Sequence, residues 1–556
     1  MLYVYIKIIK KFVYFYLKIL IMKIIMKIIL SLYAIFTNFN IGLSHLNLKN
    51  SNNLDKLVKT KIIYDNFKNI QKGKFRFWQT SDCLTILYKD SPFYVNDGCY
   101  FQNPDAPYGL ILLPPHHDEI IDDYYGFPVS DGNLSATWHM KKNEVIILFG
   151  KTPPECKYFS FSNYLYSRHF PENWKPNNTD SRINLNCPNG NVSSRCEIFA
   201  SLDDSVNLHR GMNLENQTFD SDFVLILSPN FEATYISEIA LMKIGISKNI
   251  ITNYTYPGKY LKLGIDSEDD TFITILRTAF YKNKTQADYY FNNIPFSVVR
   301  MELKNENVHL FDKKPLVNRK TKFDDATKMN ITLPELKKNL DIILKSVVDK
   351  LTFEKKKYFI QITETKSGAP DNGFECINNG TMCLADCRDT LYPFSTSLYK
   401  LAKICQKNNT YCRGNMDATL LNNIDEVILV IGVNHAMTNM SKYSSVSIYD
   451  ANHLWGVYSV GNKELEKTVY KYISKDILYL LKGTLPYIYV YEFRRNCNNI
   501  KNCLEIPTYP NNEIEAFIPI SNSIAITERM YDNPNTHVGP YLNDVILPYI
   551  VHIRPK

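Results

Sequence analysis

Apolar residues along this chain fall into short blocks separated by polar stretches, and the blocks predict strands and helices in alternation. Leu84–Tyr88, Gly109–Leu113, Glu144–Phe149 and Tyr158–Tyr166 have the apolar, β-branched and aromatic content of strands. Phe223–Leu227 is a continuous apolar run, read as a buried strand. It passes through Ser228-Pro229 into a helix over Phe231–Ile244, which Gly245 closes in the left-handed position. A second helix is predicted from Asp269, with Ser267 as its cap and Phe272, Ile275, Leu276, Ala279 and Phe280 on one face. Phe296–Leu303 reads as a closing strand.

From Lys304 the pattern turns charged and poor in apolar residues, so 304–331 reads as a linker. Thr332-Leu-Pro-Glu335 is a capping box. The helix it opens carries Leu336, Leu340, Ile343, Leu344, Val347, Val348 and Leu351 on one stripe. Strands at Tyr358–Thr363, Glu426–Ile431 and Val446–Tyr449 follow, then a helix over Lys463–Lys482 ended by Gly483, and a strand at Ile488–Phe493. The fold class is therefore α/β (mixed α+β). Two lobes of similar size, 75–303 and 332–556, would each hold a mixed sheet with flanking amphipathic helices. Glu144-Val-Ile-Ile-Leu-Phe-Gly150 and Glu426-Val-Ile-Leu-Val-Ile-Gly432 are nearly the same strand, each followed by a Tyr/Ser-rich strand from Tyr158 or Tyr443. Two readings stand: an internal duplication with a cleft between like lobes, or the ordinary resemblance of buried strands.

The first 44 residues change how the rest is read. They hold six lysines, no acid, and runs of Ile, Leu, Tyr and Phe, as a secretory signal peptide or an N-terminal anchor does. The chain carries a net +8, so setting those six lysines aside leaves +2 on the remaining residues. That balance gives no global attraction for nucleic acid. Residues 45–74 are Lys- and Asn-rich and read as a basic linker. An oxidising destination makes disulfides the leading reading of the 12 cysteines, over free thiols or a metal site. The candidates are Cys187, Cys196, Cys376, Cys383, Cys387, Cys405, Cys412, Cys497 and Cys503, and the Cys-rich stretch 368–412 reads as a cross-linked surface loop. Cys83, Cys99 and Cys156 complete an even set. Ten Asn-x-Ser/Thr triplets (Asn133, Asn177, Asn191, Asn216, Asn253, Asn283, Asn330, Asn379, Asn408 and Asn439) are candidate glycan sites.

No sequence signature of a common enzyme class is present, and nothing calls for a cofactor. Gly432-Val-Asn434-His435 follows a buried strand, where α/β sheets present ligands, so His435 and Asn434 are the candidate catalytic pair. Lys151 and Glu155, after the first of the twin strands, are candidate ligand contacts. Arg529, in the Glu528–Pro540 stretch that ends in Thr536-His537-Val-Gly-Pro540, is a third. His116, His117, Asp118 and Glu119 are the densest candidate metal ligands. Asp266–Asp270 has the carboxylates of a calcium loop, but acids in the first turn of a helix already complement its dipole. The expected function is a secreted or lumenal, disulfide-containing glycoprotein that binds a ligand or partner. The alternative is a secreted hydrolase built around His435 and the 116–119 loop. Membrane contact is expected only through the N-terminal segment.

Overall fold

In a computed structural model, the structure describes residues 52–78, 102–104, 107–119, 130–170, 195–209, 218–305, 308–312, 331–353, 358–367, 373–380, 382–394, 426–450, 455–508, 517–520, 522 and 524–555. The predicted strand 84–88 and the leader lie outside these residues.

In the first half of the chain, helix α1 (Lys61–Asn66) leads into β1 (Phe67–Trp78) and β2 (Tyr108–Leu112). Strands β3 (Glu144–Lys151), β4 (Cys156–His169), β5 (Arg195–Ser201) and β6 (Asp222–Ser228) follow, then helix α2 (Phe231–Lys243). The half closes with β7 (Ile251–Thr255), β8 (Thr271–Tyr281), α3 (Lys284–Asn292) and β9 (Ser297–Leu303). These nine strands, with two short ones at Trp138–His139 and Val206–Asn207, form one 11-stranded sheet with the order β7-β6-β3-β9-β1-β2-β8-β4-β5 along its main path. β1 pairs with β9 through its first part and with β2 through its second, so one long strand serves both ends of the sheet.

The second half opens with α4 (Leu333–Phe353) and β10 (Tyr358–Glu364), then α5 (Gly373–Asn379) and the short β11 (Pro393–Phe394). Next come β12 (Val427–Val433), β13 (Tyr443–Asp450) and β14 (Trp455–Gly461), with the short helices α6 (Asn462–Leu465) and α7 (Lys475–Leu480). The last strands are β15 (Ile488–Arg494), β16 (Cys503–Glu505), β17 (Ile524–Tyr531) and β18 (Tyr549–Pro555). One sheet has the order β16-β15-β12-β18-β10, the other runs β11-β17-β13-β14. In each half the strand pair at one edge is parallel (β6 with β7, β15 with β16) and its neighbours are antiparallel.

The twin strands are apolar throughout because both of their faces are covered. In β3, Ile146 and Leu148 face one core while Val145, Ile147 and Phe149 face another beneath α2. In β12, Leu429 and Ile431 pack under α4 while Ile428 and Val430 face the second sheet of that half. The first helix of the second half begins as its capping box implies, with the Glu335 N–H on Thr332 Oγ1. Gly245 sits at φ +89°, which glycine alone adopts without strain.

Three sequence expectations are corrected. The helix expected from Asp269 is strand β8. Residues 271–279 are buried on both faces, so apolar spacing selects no helical stripe, and the β-branched Thr271, Ile273, Thr274, Ile275 and Thr278 favour the strand. The helix expected over 463–482 breaks into α6, a 3₁₀ turn at Thr468–Lys471, and α7. Lys467 takes the left-handed conformation, and Ser474 starts a new helix by accepting from the Ile477 N–H. The basic linker 45–74 contains α1 and most of β1, whose exposed lysines alternate with better covered positions along the strand.

Disulfides join Cys376 to Cys383 and Cys497 to Cys503, with α-carbons 5.9 and 5.8 Å apart, and Cys196 is also disulfide-bonded. Cys387, expected in a bridge, is a free buried thiol, as is Cys156. Cys383 is already committed to Cys376, and the Cys387 Sγ lies 3.6 Å from the Tyr158 hydroxyl. Cys187, Cys405, Cys412, Cys83 and Cys99 lie outside the described residues. The part of the Cys-rich loop within view is not a surface feature: Phe374, Cys376, Ile377 and Cys383 pack into the core of the first half. Burial pushes the Cys156 thiol up to about 12, so it stays protonated and inert. Alkylation of the native protein at pH 8 is expected to leave Cys156 and Cys387 unmodified, with both labelled after unfolding in urea. Labelling of either in the native state, read by peptide mass spectrometry, contradicts their burial.

Among the described residues no helix is long and apolar enough to cross a membrane. This says nothing of the leader.

Candidate functional site

A dense set of buried chemical groups lies where β4 of the first half meets β13 and β17 of the second. Tyr531, the last residue of β17, packs its ring against Tyr158 of β4 (4.7 Å between centroids) and Tyr443 of β13 (4.9 Å, stacked). The chain then turns at Asp532, held by its N–H on the Asp389 carbonyl at 2.7 Å. Tyr158 donates to Asp389 Oδ2 at 2.6 Å. Two carboxylates from one half thus meet a tyrosine from the other.

Two imidazoles cover them. His209 follows the short strand at Val206–Asn207, and its Nε2 stands 3.3 Å from Asp532 Oδ2; His537 Nδ1 stands 4.0 Å from Oδ1. The loop carrying His537 is tied to the first half by Asn207, which donates to the His537 carbonyl at 3.0 Å. The Asp532 side chain is 1% exposed, while His209 is 29% and His537 40% exposed. The arrangement is a buried acid with a solvent-reachable imidazole rim. Among the described residues neither oxygen of Asp532 accepts a hydrogen bond. Burial, then the neighbouring Asp389 charge, raises its carboxyl to about 7. Burial, with Lys442 and His537 nearby, lowers His209 to about 4. Near neutral pH His209 is uncharged and Asp532 sits at its midpoint, able both to give and to take a proton.

Beside this seam lie two buried arginines in matching surroundings. The Arg277 guanidinium on β8 lies over the rings of Tyr108 and Tyr164 (5.3 and 5.7 Å) and donates to the Tyr164 hydroxyl and the Ala385 carbonyl, each at 2.7 Å. Arg529 on β17 lies over Tyr392 and Tyr449 (5.2 and 5.7 Å) and donates twice to the Tyr449 hydroxyl, at 3.0 and 2.6 Å. Their registers also match. Arg277 stands opposite Ser160 and Ile273 opposite Tyr164; Arg529 stands opposite Ser445 and Ala525 opposite Tyr449. A cation spread over two ring faces is stabilised without an ion pair.

The residues singled out from sequence are placed as follows. His435 is buried: its Nδ1 is 3.3 Å from Thr438 Oγ1, and its Nε2 meets the Ile546 backbone. Burial lowers it to about 4, so it is a neutral ring tying a turn to the segment before β18. Asn434 is buried with it and donates to the Asn462 carbonyl at 2.9 Å. Lys151 ends β3 and its carbonyl accepts from Tyr290 at 2.8 Å, while Glu155 forms an exposed pair with Lys282 at 2.7 Å. Arg529 alone of the three ligand candidates borders the seam.

In the 116–119 loop, His116 and Glu119 turn inward and His117 and Asp118 outward. His116 pairs with Glu144 at 3.2 Å, and Glu119 with His139 at 2.6 Å. Each imidazole is thus matched to a carboxylate. Among the described residues no set of three or more His, Cys, Asp or Glu side chains is placed to hold a metal ion. Asp270, from the acidic run, accepts from Arg168 through both oxygens, at 2.8 and 2.6 Å.

Tyr158, Tyr443 and His537 were visible in sequence as parts of the Tyr/Ser-rich strands and the carboxyl-terminal stretch. Asp389 and His209 carried no local signal. Isolated polar residues become a site here only through contacts between distant parts of the chain, such as Tyr158 with Asp389.

No family model matches the chain, and no curated protein does. Two solved structures align over most of its length. A putative uncharacterized protein from Burkholderia cenocepacia is 7% identical, with a TM-score of 0.32, over 86% of this chain and 87% of that one. The VPA0106 protein from Vibrio parahaemolyticus is 9% identical, with a TM-score of 0.31, over 85% of this chain and 96% of that one.

Proposed function

We propose that this chain is a secreted or lumenal glycoprotein of two duplicated α/β lobes that binds a ligand rich in hydrogen-bond donors at the seam between them. The observation that carries the reading is Asp532: a buried carboxyl with no hydrogen bond on either oxygen among the described residues, beneath a rim of partly exposed imidazoles. A buried acceptor of this kind costs on the order of 1–3 kcal/mol unless something donates to it. A ligand hydroxyl or ammonium group fits that need, with Tyr158 and Asp389 beside it.

The duplication draws support from the matched strand orders, the shared parallel edge pairs, and the equal registers of Arg277 with Tyr164 and Arg529 with Tyr449. Secretion draws support from the disulfides, which persist in oxidising compartments. Glycosylation is compatible with the exposure of Asn133, Asn253 and Asn283. A second reading, a hydrolase-type enzyme, is favoured by one fact: Asp532 near 7 beside neutral His209 is an acid–base pair matched to neutral pH.

Native mass spectrometry and thermal-shift titration with a panel of monosaccharides and primary amines separate these outcomes. Wild type is expected to be stabilised by one class, and Asp532→Ala or His209→Ala to lose at least about tenfold in affinity, the worth of one charged-group hydrogen bond. Equal responses of wild type and both variants would overturn the seam as the site. Turnover of an ester or glycoside by wild type and not by the variants would favour the enzyme.

A further inference from the structure

Among the described residues of the second half, helix α7 carries the two most exposed apolar side chains. Tyr479 is 88% and Leu480 66% exposed, with Leu478 at 39% and Tyr470 at 41%. Residues 474–476 and 478–480 are exposed around almost the whole circumference of the helix, which is anchored only by half-buried Ile477 and by Leu481 just beyond it. The apolar residues therefore sit on a protrusion, not in a groove.

Lysines outnumber acids in the stretch that carries this tip. Lys463, Lys467, Lys471, Lys475 and Lys482 are all exposed, against Glu464, Glu466 and Asp476 in the same stretch. Lys471 is held by Glu492, and the ammonium of Lys350, from α4, donates to the Lys471 carbonyl at 2.9 Å, bringing a further cation to the edge. No carboxylate of the described residues forms an ion pair with Lys463, Lys467, Lys475 or Lys482.

We propose that this tip docks on an anionic phospholipid bilayer. A protein partner needs a complementary pocket to bury a convex apolar knob. A fluid interface closes around one without it, seats tyrosine at headgroup depth, and places the flanking lysines at the phosphates. Charge supplies the preference: each lysine near an anionic surface adds attraction that neutral lipid does not offer. The contact is separate from the leader and from the seam, and holds whether or not the seam binds a ligand.

The test is sedimentation of the secreted chain with phosphatidylcholine vesicles, with and without phosphatidylserine, joined to hydrogen exchange over 475–482. The expected result is binding that requires phosphatidylserine, protection of 475–482 on binding, and a loss of about tenfold or more in partitioning for the Tyr479→Ser/Leu480→Ser double variant. Both side chains are exposed, so that variant keeps the fold. A retained leader could hold the chain on vesicles by itself. Binding without protection of 475–482 is that case and overturns the proposal. So do equal binding to neutral vesicles, no binding at all, or protection of this segment by self-association in the absence of lipid.

Discussion

Gly373→Ala is expected to lower stability by about 3 kcal/mol or more, the range of severe core overpacking. A methyl group at this position would lie 2.1 Å from the Ser201 carbonyl oxygen and 2.5 Å from its nitrogen. Both atoms are backbone of β5, so no rotamer change relieves the clash and α5 has to move as a unit. That movement strains everything α5 brings with it. Cys383 and Ala385 donate to the carbonyls of Ile198 and Phe199 at 2.7 and 2.9 Å, and Asp386 accepts twice from Ser201. Phe374 and Ile377 would also leave the core of the first half. Gly245→Ala is the control, because a Cβ there meets nothing within 4 Å and faces only its positive φ, worth about 1 kcal/mol. Urea unfolding midpoints of the two variants measure the difference. Similar losses in both would mean that α5 does not press on β5 this closely.

Asp532→Asn is expected to leave stability almost unchanged below about pH 4 and to raise it by about 2–4 kcal/mol at pH 9, since each tenfold gain in proton affinity on folding is worth about 1.4 kcal/mol. A folded carboxyl at about 7 holds its proton more tightly than the unfolded chain, whose aspartate titrates near 3.8. Stability is therefore fully present below the unfolded value and declines as pH rises through about 7. Asparagine keeps the shape and the neutral state, which removes the decline. The histidines act with the opposite sign. His435 and His209 are lowered to about 4, so the unfolded chain takes protons first and stability falls as pH drops from about 6.5 through 4. Wild type should show maximal stability at mildly acidic pH, with its alkaline side flattened in the variant. Denaturant unfolding between pH 4 and 9 reads both limbs. An Asp532→Asn curve parallel to wild type from pH 5 to 9 would show that Asp532 titrates as an ordinary surface acid.

Elements with one clear apolar face were legible in the sequence. Helix α4 has its stripe and capping box, and the end of α2 follows from Gly245. The twin strands were legible because sheets covered on both faces demand unbroken apolar runs. The same property misled at β8, where full burial removed the alternation that separates strand from helix. Across 462–482 the apolar residues Leu465, Val469 and Tyr472 reach the core at near-helical spacing, yet a left-handed Lys467 and a fresh cap at Ser474 divide the stretch.

The candidate site shows the same limit more sharply. His435 has a strand end, a glycine and an asparagine beside it, all local features, and it is a buried structural ring. Asp389 and His209 have no local signature, and Asp532 was visible only as part of the Glu528–Pro540 stretch. Their chemistry depends on burial and on each other: Asp532 titrates near 7 because the fold removes water from it and places a second carboxyl nearby. By itself the sequence determined the mixed α/β class, the helix with a sharp apolar stripe and the buried twin strands, since those follow from side-chain periodicity within a short stretch of chain. Tertiary structure alone decided which cysteines pair, which acids are desolvated, and where the two halves meet, since each of those depends on contacts between residues far apart along the chain.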